Sequence, residues 1–202
     1  MKISMKRFYL LALAAALAFA GCGKDKDEKI PPPTEDENFA SLFDPAFLQI
    51  LEDRGYITDA ENITPQDVAA ITELDVSGSS DSYGSLTSLQ GIEYFESLET
   101  LNCSFNELTV LDVSQNTKLT HLNCYFNMLT ELDVSGCTVL AYLNCSCNEL
   151  TELDTSSNTK LMYFDCSYNP LKSMIISGCS IDGYLVFSDN EIESLVIGDC
   201  PE

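Results

Sequence analysis

Four cysteines recur at intervals of 21 residues: Cys103, Cys124, Cys145 and Cys166. Thiols can form disulfides or bind metals, but a zinc site needs a second cysteine pair or histidine ligands, which this pattern does not supply. If the period places the four residues in neighbouring parallel strands, their side chains point the same way and the dihedral angle of a disulfide is hard to reach. We therefore predict reduced, buried thiols that pack as small apolar residues, and no metal site.

The chain has nine cysteines in total. Cys137, Cys179 and Cys200 fall where other repeats place Asn116 and Asn158, and Cys147 stands on a position shared with Phe105, Phe126 and Tyr168. One disulfide is compatible with this spacing, between Cys179 and Cys200 on adjacent repeats, and the sequence leaves it open.

Three aspartates, Asp112, Asp133 and Asp154, show the same period. On neighbouring parallel strands their carboxylates would lie about 4.8 Å apart. Such a column could bind a divalent cation through oxygen. The other interpretation is that each carboxylate accepts a backbone N–H at a turn. The sequence does not decide between these two.

Catalytic groups are scarce. The single histidine, His121, has no cysteine, serine or carboxylate pattern around it that suggests a triad, and the sequence has no glycine-rich phosphate loop. We expect neither an enzyme nor a cofactor.

The elements that position these residues form a 21-residue repeat. Its first position is Leu98, Leu119, Leu140, Leu161 and Asp182; its fourth is Leu101, Leu122, Leu143, Phe164 and Leu185; its ninth is Asn106, Asn127, Asn148, Asn169 and Asn190. Together with a leucine or isoleucine at position eleven, this spacing resembles the leucine-rich repeats of internalin-like and bacteroidete surface proteins, LxxLxCxxNxLxxLDVSxNxx. The resemblance covers residues 98 to 202 and extends more loosely back to Ile71.

The resemblance implies a mostly β leucine-rich-repeat solenoid of the α/β type, with a parallel sheet of about five to six short coils. About ten residues remain for the return path of each coil, too few for a full helix with loops, so we predict an extended or strand-like return. The buried asparagines are expected to bond to the backbone of adjacent coils.

Outward side chains of each strand are predicted at positions three, five and seven. This face carries the candidate binding residues His121, Tyr142, Tyr163 and Tyr184 at position three, Asn123, Asn144 and Asp165 at position five, and Tyr125 among serines at position seven. Tyrosine supplies rigid contact area and asparagine supplies adaptable hydrogen bonds. The alternative is a solvated sheet surface without a ligand.

The segment before the repeats predicts a helical N-terminal cap over residues 38–70. Asp44 and Pro45 are typical of a helix start, Gly55 suits its end, and Thr64 and Asp67 have the spacing of a capping box. We divide the chain into residues 1–21, 22–37, 38–70 and 71–202: signal peptide, tether, cap and solenoid.

The first residues predict export. Lys2, Lys6 and Arg7 precede an apolar run from Phe8 to Phe19, and the following Ala-Gly-Cys resembles the lipobox of bacterial lipoproteins, which implies lipidation of Cys22. The acidic, Pro-rich segment 22–37 has the composition of a tether. Its acidic stretch just after the cysteine, with Lys24, Asp25, Asp27 and Glu28, resembles the export signal of Bacteroidetes surface lipoproteins. These resemblances imply a protein anchored by its lipid to the outer membrane and exposed on the cell surface.

The formal net charge is −22. Phosphate backbones would be repelled, so nucleic acid is excluded as a partner, and a membrane would hold the chain through the N-terminal lipid only. We predict binding or adhesion to a protein, such as a host or bacterial surface protein, through the outward strand face. The alternatives are a glycan-binding module and a structural surface protein without a specific ligand.

Overall fold

The computed structural model describes residues 39–176 and 183–198. Residues 36–202 form one compact unit whose buried apolar residues make a single continuous core cluster. The predicted signal peptide, Cys22, the tether and the Cys179–Cys200 pair lie outside the described residues.

The described chain contains two short α-helices followed by nine short strands. The helices are α1 (Pro45–Asp53) and α2 (Pro65–Ala69), with 3-10 turns at Phe39–Leu42 and Ile92–Tyr94. The strands are β1 (Glu73–Asp75), β2 (Thr100–Asn102), β3 (His121–Asn123), β4 (Tyr142–Asn144), β5 (Glu152–Asp154), β6 (Tyr163–Asp165), β7 (Ser173–Ile176), β8 (Tyr184–Val186) and β9 (Ser194–Ile197).

Six strands form one parallel sheet in the order β1-β2-β3-β4-β6-β8. Each coil contributes one strand, and its middle residue pairs in register with the middle residue of the next, as Leu101 does with Leu122 and Leu143 with Phe164. These central side chains are buried from β1 through β6. This sheet confirms the predicted parallel solenoid. Each coil buries its central side chain only because a neighbouring coil stacks on it.

The return path of the later coils is strand-like, as predicted. β5, β7 and β9 form a second parallel sheet, and the earlier coils show a single isolated bridge between Asp112 and Asp133. Leu153 and Met174 are buried on this side and face the core from the opposite direction. The solenoid is therefore narrow, with one core between two parallel sheets of short strands.

The buried asparagines at position nine connect the coils. The Nδ2 atom of Asn127 donates to the carbonyls of Cys103 and Cys124, both at 3.1 Å, while its Oδ1 accepts from the N–H of Leu108 at 3.0 Å. Asn148 and Asn169 repeat this pattern one and two coils further on. Each amide thus satisfies backbone groups in its own coil and in the preceding one, as the sequence predicted.

A second buried column contains Asn116, Cys137 and Asn158, and its hydrogen bonds explain why a cysteine can take the place of an asparagine there. The Nδ2 atoms of Asn116 and Asn158 each donate to two carbonyls, but both Oδ1 atoms are buried without a partner. The position therefore needs only a donor. The thiol of Cys137 suffices, since it lies 3.5 Å from the Val113 carbonyl and 3.8 Å from that of Asn116.

The four periodic cysteines are buried free thiols inside the first sheet. The Sγ atoms of Cys103, Cys124 and Cys166 lie 3.5–3.6 Å from carbonyl oxygens of the next coil. Burial raises the pKa of Cys124 and Cys166 to about 12, and that of Cys137 to about 12 as well. These groups therefore remain neutral thiols at physiological pH, as a packed core requires.

The helices cover the first coil. Asp44 caps α1 by accepting the N–H groups of Ala46 and Phe47, and Phe47 packs on Phe95 of the first coil with ring centroids 6.0 Å apart. Arg54, just after α1, donates to the carbonyls of Asp75 and Ser77 at 2.8 and 2.6 Å. These contacts close the N-terminal end of the core, which is the role the sequence predicted for the helices. Within the described ranges, no helix has the length and apolar character needed to cross a membrane.

We expect Asn127→Ala to destabilise residues 36–202 by about 2–4 kcal/mol, because it leaves the buried N–H of Leu108 without its partner. It also removes one of the two side-chain hydrogen bonds that each of the Cys103 and Cys124 carbonyls accepts. The matched control is Asn123→Ala. The Oδ1 atom of Asn123 accepts one N–H, from Tyr125 at 3.2 Å, on the half-buried outer face, so the loss should be about 1 kcal/mol or less. Urea unfolding measures both changes, and equal losses would contradict the linking role of Asn127.

We also expect stability to fall in alkaline solution. The folded pKa of the buried thiols is raised, so their contribution is complete below the unfolded thiol pKa of about 8.5 and declines as pH rises towards about 12. The slope is roughly 1.4 kcal/mol per pH unit for each such thiol. Urea unfolding in reductant between pH 8 and pH 11 measures this slope. Cys124→Ala should reduce the slope of the unfolding free energy against pH by the share of one thiol. An unchanged slope in that variant would contradict the raised pKa of Cys124.

Candidate functional site

The position-three residues form one stack on the outer face of the first sheet. His121 and Tyr142 have ring centroids 5.8 Å apart, Tyr142 and Tyr163 are 4.4 Å apart, and Tyr163 and Tyr184 are 4.9 Å apart, with interplanar angles of 10–19°. We call these four residues the tyrosine column. In-register pairing of β3, β4, β6 and β8 places each ring directly on the next.

The stack determines which surfaces the rings offer to a ligand. The faces of Tyr142 and Tyr163 are covered on both sides by neighbouring rings, so these residues present ring edges and hydroxyl groups to solvent. Tyr184 ends the column with one uncovered face, and 58% of its surface is exposed. Burial, together with the neighbouring Tyr142 and Asp165, raises the pKa of Tyr163 to about 12, so its hydroxyl stays a neutral donor.

The position-five residues form an amide ladder beside the column. The Oδ1 atoms of Asn102, Asn123 and Asn144 each accept the backbone N–H two residues further on, at 3.1–3.3 Å. Asp165 does the same at 3.0 Å. Because the backbone N–H fixes the Oδ1 atom of each asparagine, the Nδ2 atom of the same amide points away from that N–H. The Nδ2 atoms of Asn123 and Asn144 have no acceptor among the described residues, which leaves two parallel donors for a ligand.

The prediction of outward position-seven residues was wrong for the serines. Ser104, Ser146 and Ser167 are buried, and their hydroxyls donate to the position-five oxygen of the same coil at 2.6–2.8 Å. The chain turns inward after position six, and a small hydroxyl can follow it. Tyr125 is too large to do so and lies half-buried at the surface.

Position eight carries a second set of surface rings that sequence reasoning did not include. Phe105, Phe126, Cys147 and Tyr168 all have left-handed backbone conformations, with φ of 53–56°. This conformation costs an L-residue roughly 1–2 kcal/mol. It turns the chain at the end of each strand and directs the side chain outward. The signal was present as a recurrent aromatic residue at one position of the period.

Two of these rings, Phe105 and Phe126, cluster with Tyr125 from position seven and with a residue from the first coil. Phe126 stacks on Phe105 at 5.6 Å and on Tyr83 at 5.4 Å, and Tyr125 meets Phe105 edge-on at 5.0 Å. We call Tyr83, Phe105, Tyr125 and Phe126 the aromatic shelf. It lies at the carboxyl ends of the strands, whereas the tyrosine column lies at their amino ends, with the amide ladder between them.

An insertion in the first coil supplies Tyr83. The register of β1 and β2 aligns Gly78 with Phe105, and the N–H of Glu107 bonds to Leu86 as that of Met128 bonds to Leu108. Residues 79–83 are therefore extra to the regular repeat. They fit because Gly78 and Gly84 approach so closely that a Cβ on Gly78 would collide with the Gly84 nitrogen.

The structure supports the turn interpretation of the aspartate column, Asp112, Asp133 and Asp154. The Oδ1 atoms of Asp112, Asp133 and Asp154 accept the N–H groups of Ser114, Ser135 and Ser156 at 2.8–3.0 Å. Across residues 39–176 and 183–198, no group of three or more His, Cys, Asp and Glu side chains is placed to hold a metal ion.

The solved structures with similar folds include bacterial leucine-rich-repeat proteins. The functional domain of InlJ from Listeria monocytogenes, which includes a cysteine ladder, is 28% identical with a TM-score of 0.53, over 82% of this chain and 47% of that one. The fold is a leucine-rich-repeat solenoid. An internalin, inlF, from Listeria monocytogenes (17% identity, TM-score 0.53, 82% and 60% coverage) and a leucine-rich-repeat protein of Leptospira interrogans (23%, 0.52, 67% and 40%) share it.

The InlJ domain is described as including a cysteine ladder, and this chain has a column of four buried cysteines. The chain spans about half the length of these three solved structures. Neither the protein-family models nor the curated proteins gave a match.

We expect millimolar calcium to leave the melting temperature of residues 36–202 unchanged within about 1 °C, because the aspartate oxygens already accept backbone N–H groups. A site with a Kd one hundred times below the added concentration would stabilise the fold by about 2.7 kcal/mol, a shift of several degrees. Thermal unfolding with calcium and with magnesium as the control measures this. A rise specific to calcium would restore the metal interpretation.

Proposed function

We propose that this chain binds a protein through the outer face of its first sheet, and that the tyrosine column is the centre of the interface. The stacking of Tyr142, Tyr163 and Tyr184 carries the proposal. It fixes three tyrosines in place before any partner arrives, so little side-chain entropy is lost on binding. Tyrosine is also enriched among the residues that dominate the energy of protein interfaces.

The ring geometry favours a protein over a glycan. Sugars bind aromatic residues by packing on an uncovered ring face, and among the tyrosines of the column only Tyr184 has one. Edges, hydroxyls and the donors of Asn123 and Asn144 suit the mixture of apolar side chains and backbone carbonyls on a protein surface. The leucine-rich-repeat fold itself, shared with the Listeria internalins, is consistent with a binding role in general.

The net charge further limits the kind of protein that the chain can bind. With a net charge of −22, the chain attracts basic surfaces and repels nucleic acid and anionic membranes. Asp165 stands on the candidate face beside the column, where a basic side chain of the partner would meet it. The proposed ligand is therefore a neutral or basic protein, such as one on a host cell or on another bacterium.

The proposed location is the cell surface, with the chain held at the outer membrane by lipid on Cys22. The basic start, the apolar run and the Ala-Gly-Cys sequence support it. A tether of the composition found in residues 22–37 would let the solenoid stand away from the bilayer. A lipid of this kind would also account for membrane attachment of so acidic a chain.

Binding of residues 36–202 to a panel of extracellular proteins and glycans tests the proposal. We expect a protein ligand whose affinity falls at least a hundredfold when Tyr142, Tyr163 and Tyr184 are all changed to Ala, because removing each interface anchor costs about 2 kcal/mol. Val110→Ala, which removes an exposed apolar side chain outside the strand face, should have no effect.

The alternatives give different results in the same assay. Glycan binding predicts that Tyr184→Ala alone abolishes the interaction, because this ring has the uncovered face. A protein ligand whose affinity is the same for the triple variant would place the interface outside the tyrosine column. Absence of binding to any protein or glycan in the panel would favour a structural surface protein. Circular dichroism of each variant shows whether the solenoid remains folded.

A further inference from the structure

A partly open cavity of about 350 Å³ lies between helix α1 and the first coil. Arg54, just after α1, forms one side of it, and the inserted residues of the first coil form the other. Pockets of about 300–1,000 Å³ hold small ligands in proteins, and most of them have an apolar lining. The lining of this cavity is mainly polar and includes Arg54, Ser79, Ser82, Tyr83, Ser85 and Asn106.

The insertion that forms one wall of the cavity contributes nothing to the core, since residues 79–83 are all exposed. The loop nevertheless has a fixed shape. The N–H of Ser79 donates to the carbonyl of Ser82 at 2.8 Å, and the N–H of Ser82 donates to the carbonyl of Ser79 at 3.2 Å. At the base of the loop, Gly78 and Gly84 approach so closely that a Cβ on Gly78 would collide with the other residue. An ordered surface loop without a packing role is typical of a binding loop.

Tyr83 gives the cavity an aromatic ring. The ring stacks on Phe126, with centroids 5.4 Å apart and an interplanar angle of 28°, and it meets Phe105 at 6.2 Å and 53°. These contacts hold the ring in place before a ligand arrives, which lowers the entropy lost on binding. Tyr83 is nevertheless 56% exposed, so part of the ring is free to pack against a ligand.

The polar groups of the lining can donate and accept hydrogen bonds in nearly neutral surroundings. The hydroxyls of Ser82 and Ser85 have no hydrogen-bond partner within the described residues, and each can donate and accept. The guanidinium group of Arg54 lies 3.4 Å from the carboxylate of Asp75, which balances its charge. Among the described residues that line the cavity, no other side chain is charged.

We propose that this cavity binds a neutral saccharide of one or two sugar units. A sugar carries C–H groups on the faces of its ring and hydroxyls around the edge. It can therefore pack on Tyr83 while its hydroxyls bond to Ser82 and Ser85. A purely apolar ligand would leave these groups without partners. The net charge of −22 opposes an anionic ligand, and Arg54 opposes a cationic one.

This site is separate from the tyrosine column. The cavity belongs to the first coil and to the helical cap, whereas the column begins at His121 in β3. The rings of Tyr142 and Tyr163 are covered by their neighbours, which disfavours sugar stacking there, but Tyr83 keeps more than half of its surface exposed. The saccharide site therefore does not depend on the proposed protein interface.

Titration of isotope-labelled residues 36–202 with saccharides, followed by the backbone amide signals in NMR spectra, tests the proposal. The probes are glucose, galactose, mannose, N-acetylglucosamine and their disaccharides. We expect at least one of them to shift the amide signals of Gly78, Ser82 and Gly84 in a saturable way, with a Kd in the millimolar range, because a ligand of this size makes few contacts. Absence of saturable shifts with every probe would overturn the proposal.

Tyr83→Ala should raise the Kd of that saccharide at least about tenfold, because it removes the aromatic ring of the described lining. The matched control is Tyr168→Ala, which removes a ring of similar exposure, 59%, from outside the cavity. This control should leave the Kd within about twofold. Binding that Tyr83→Ala leaves unchanged would overturn the proposal.

Two further variants locate the site. Deletion of residues 79–83 joins Gly78 to Gly84, which already meet, and should abolish saccharide binding while thermal unfolding shows that the solenoid remains folded. Tyr184→Ala should leave saccharide binding unchanged, and a loss in this variant would assign the sugar to the tyrosine column instead. Protein binding is measured with the triple tyrosine variant, so either proposal can fail without the other.

Discussion

The solenoid depends on the hydrogen bonds of its buried asparagines. Strands of three residues offer few backbone bonds, and the corners between them leave polar groups inside the structure. At each corner the position-nine amide satisfies two carbonyls and one N–H, and it takes them from two successive coils. Without this side chain, the turn at position eight would bury unpaired groups at every coil, at a cost that no short strand could offset.

Because the amides fix the register, each position of the repeat becomes a column of identical surroundings. The consequence differs with the residue type. Tyrosines at position three stack on one another at 4.4–4.9 Å. Aspartates on the return side would repel one another, and each is stabilised by a local backbone N–H. Cysteines at position six fill a narrow space as neutral thiols. The surface chemistry of the protein is therefore a direct product of the periodicity that builds its core.

The sequence predicted the periodic features well and the local departures poorly. The leucine rows, the asparagine column and the capping residues Asp44 and Gly55 follow from spacing and backbone preference alone, and the structure confirms them. Alternation along a strand failed at position seven, because the chain leaves the strand conformation there and Ser104 turns inward to bond Asn102. The shelf escaped prediction for two reasons. A left-handed aromatic residue such as Phe126 contradicts simple propensity, and Tyr83 reaches it through an insertion that no period describes.

The N-terminal end of the solenoid illustrates what periodicity cannot supply. A repeat gives every internal coil two neighbours, but the first coil has one and needs another solution. At the first coil, non-repetitive sequence provides it: Phe47 covers the core and Arg54 binds the free carbonyls of Asp75 and Ser77. These contacts come from residues outside the repeat, so the period alone does not predict them.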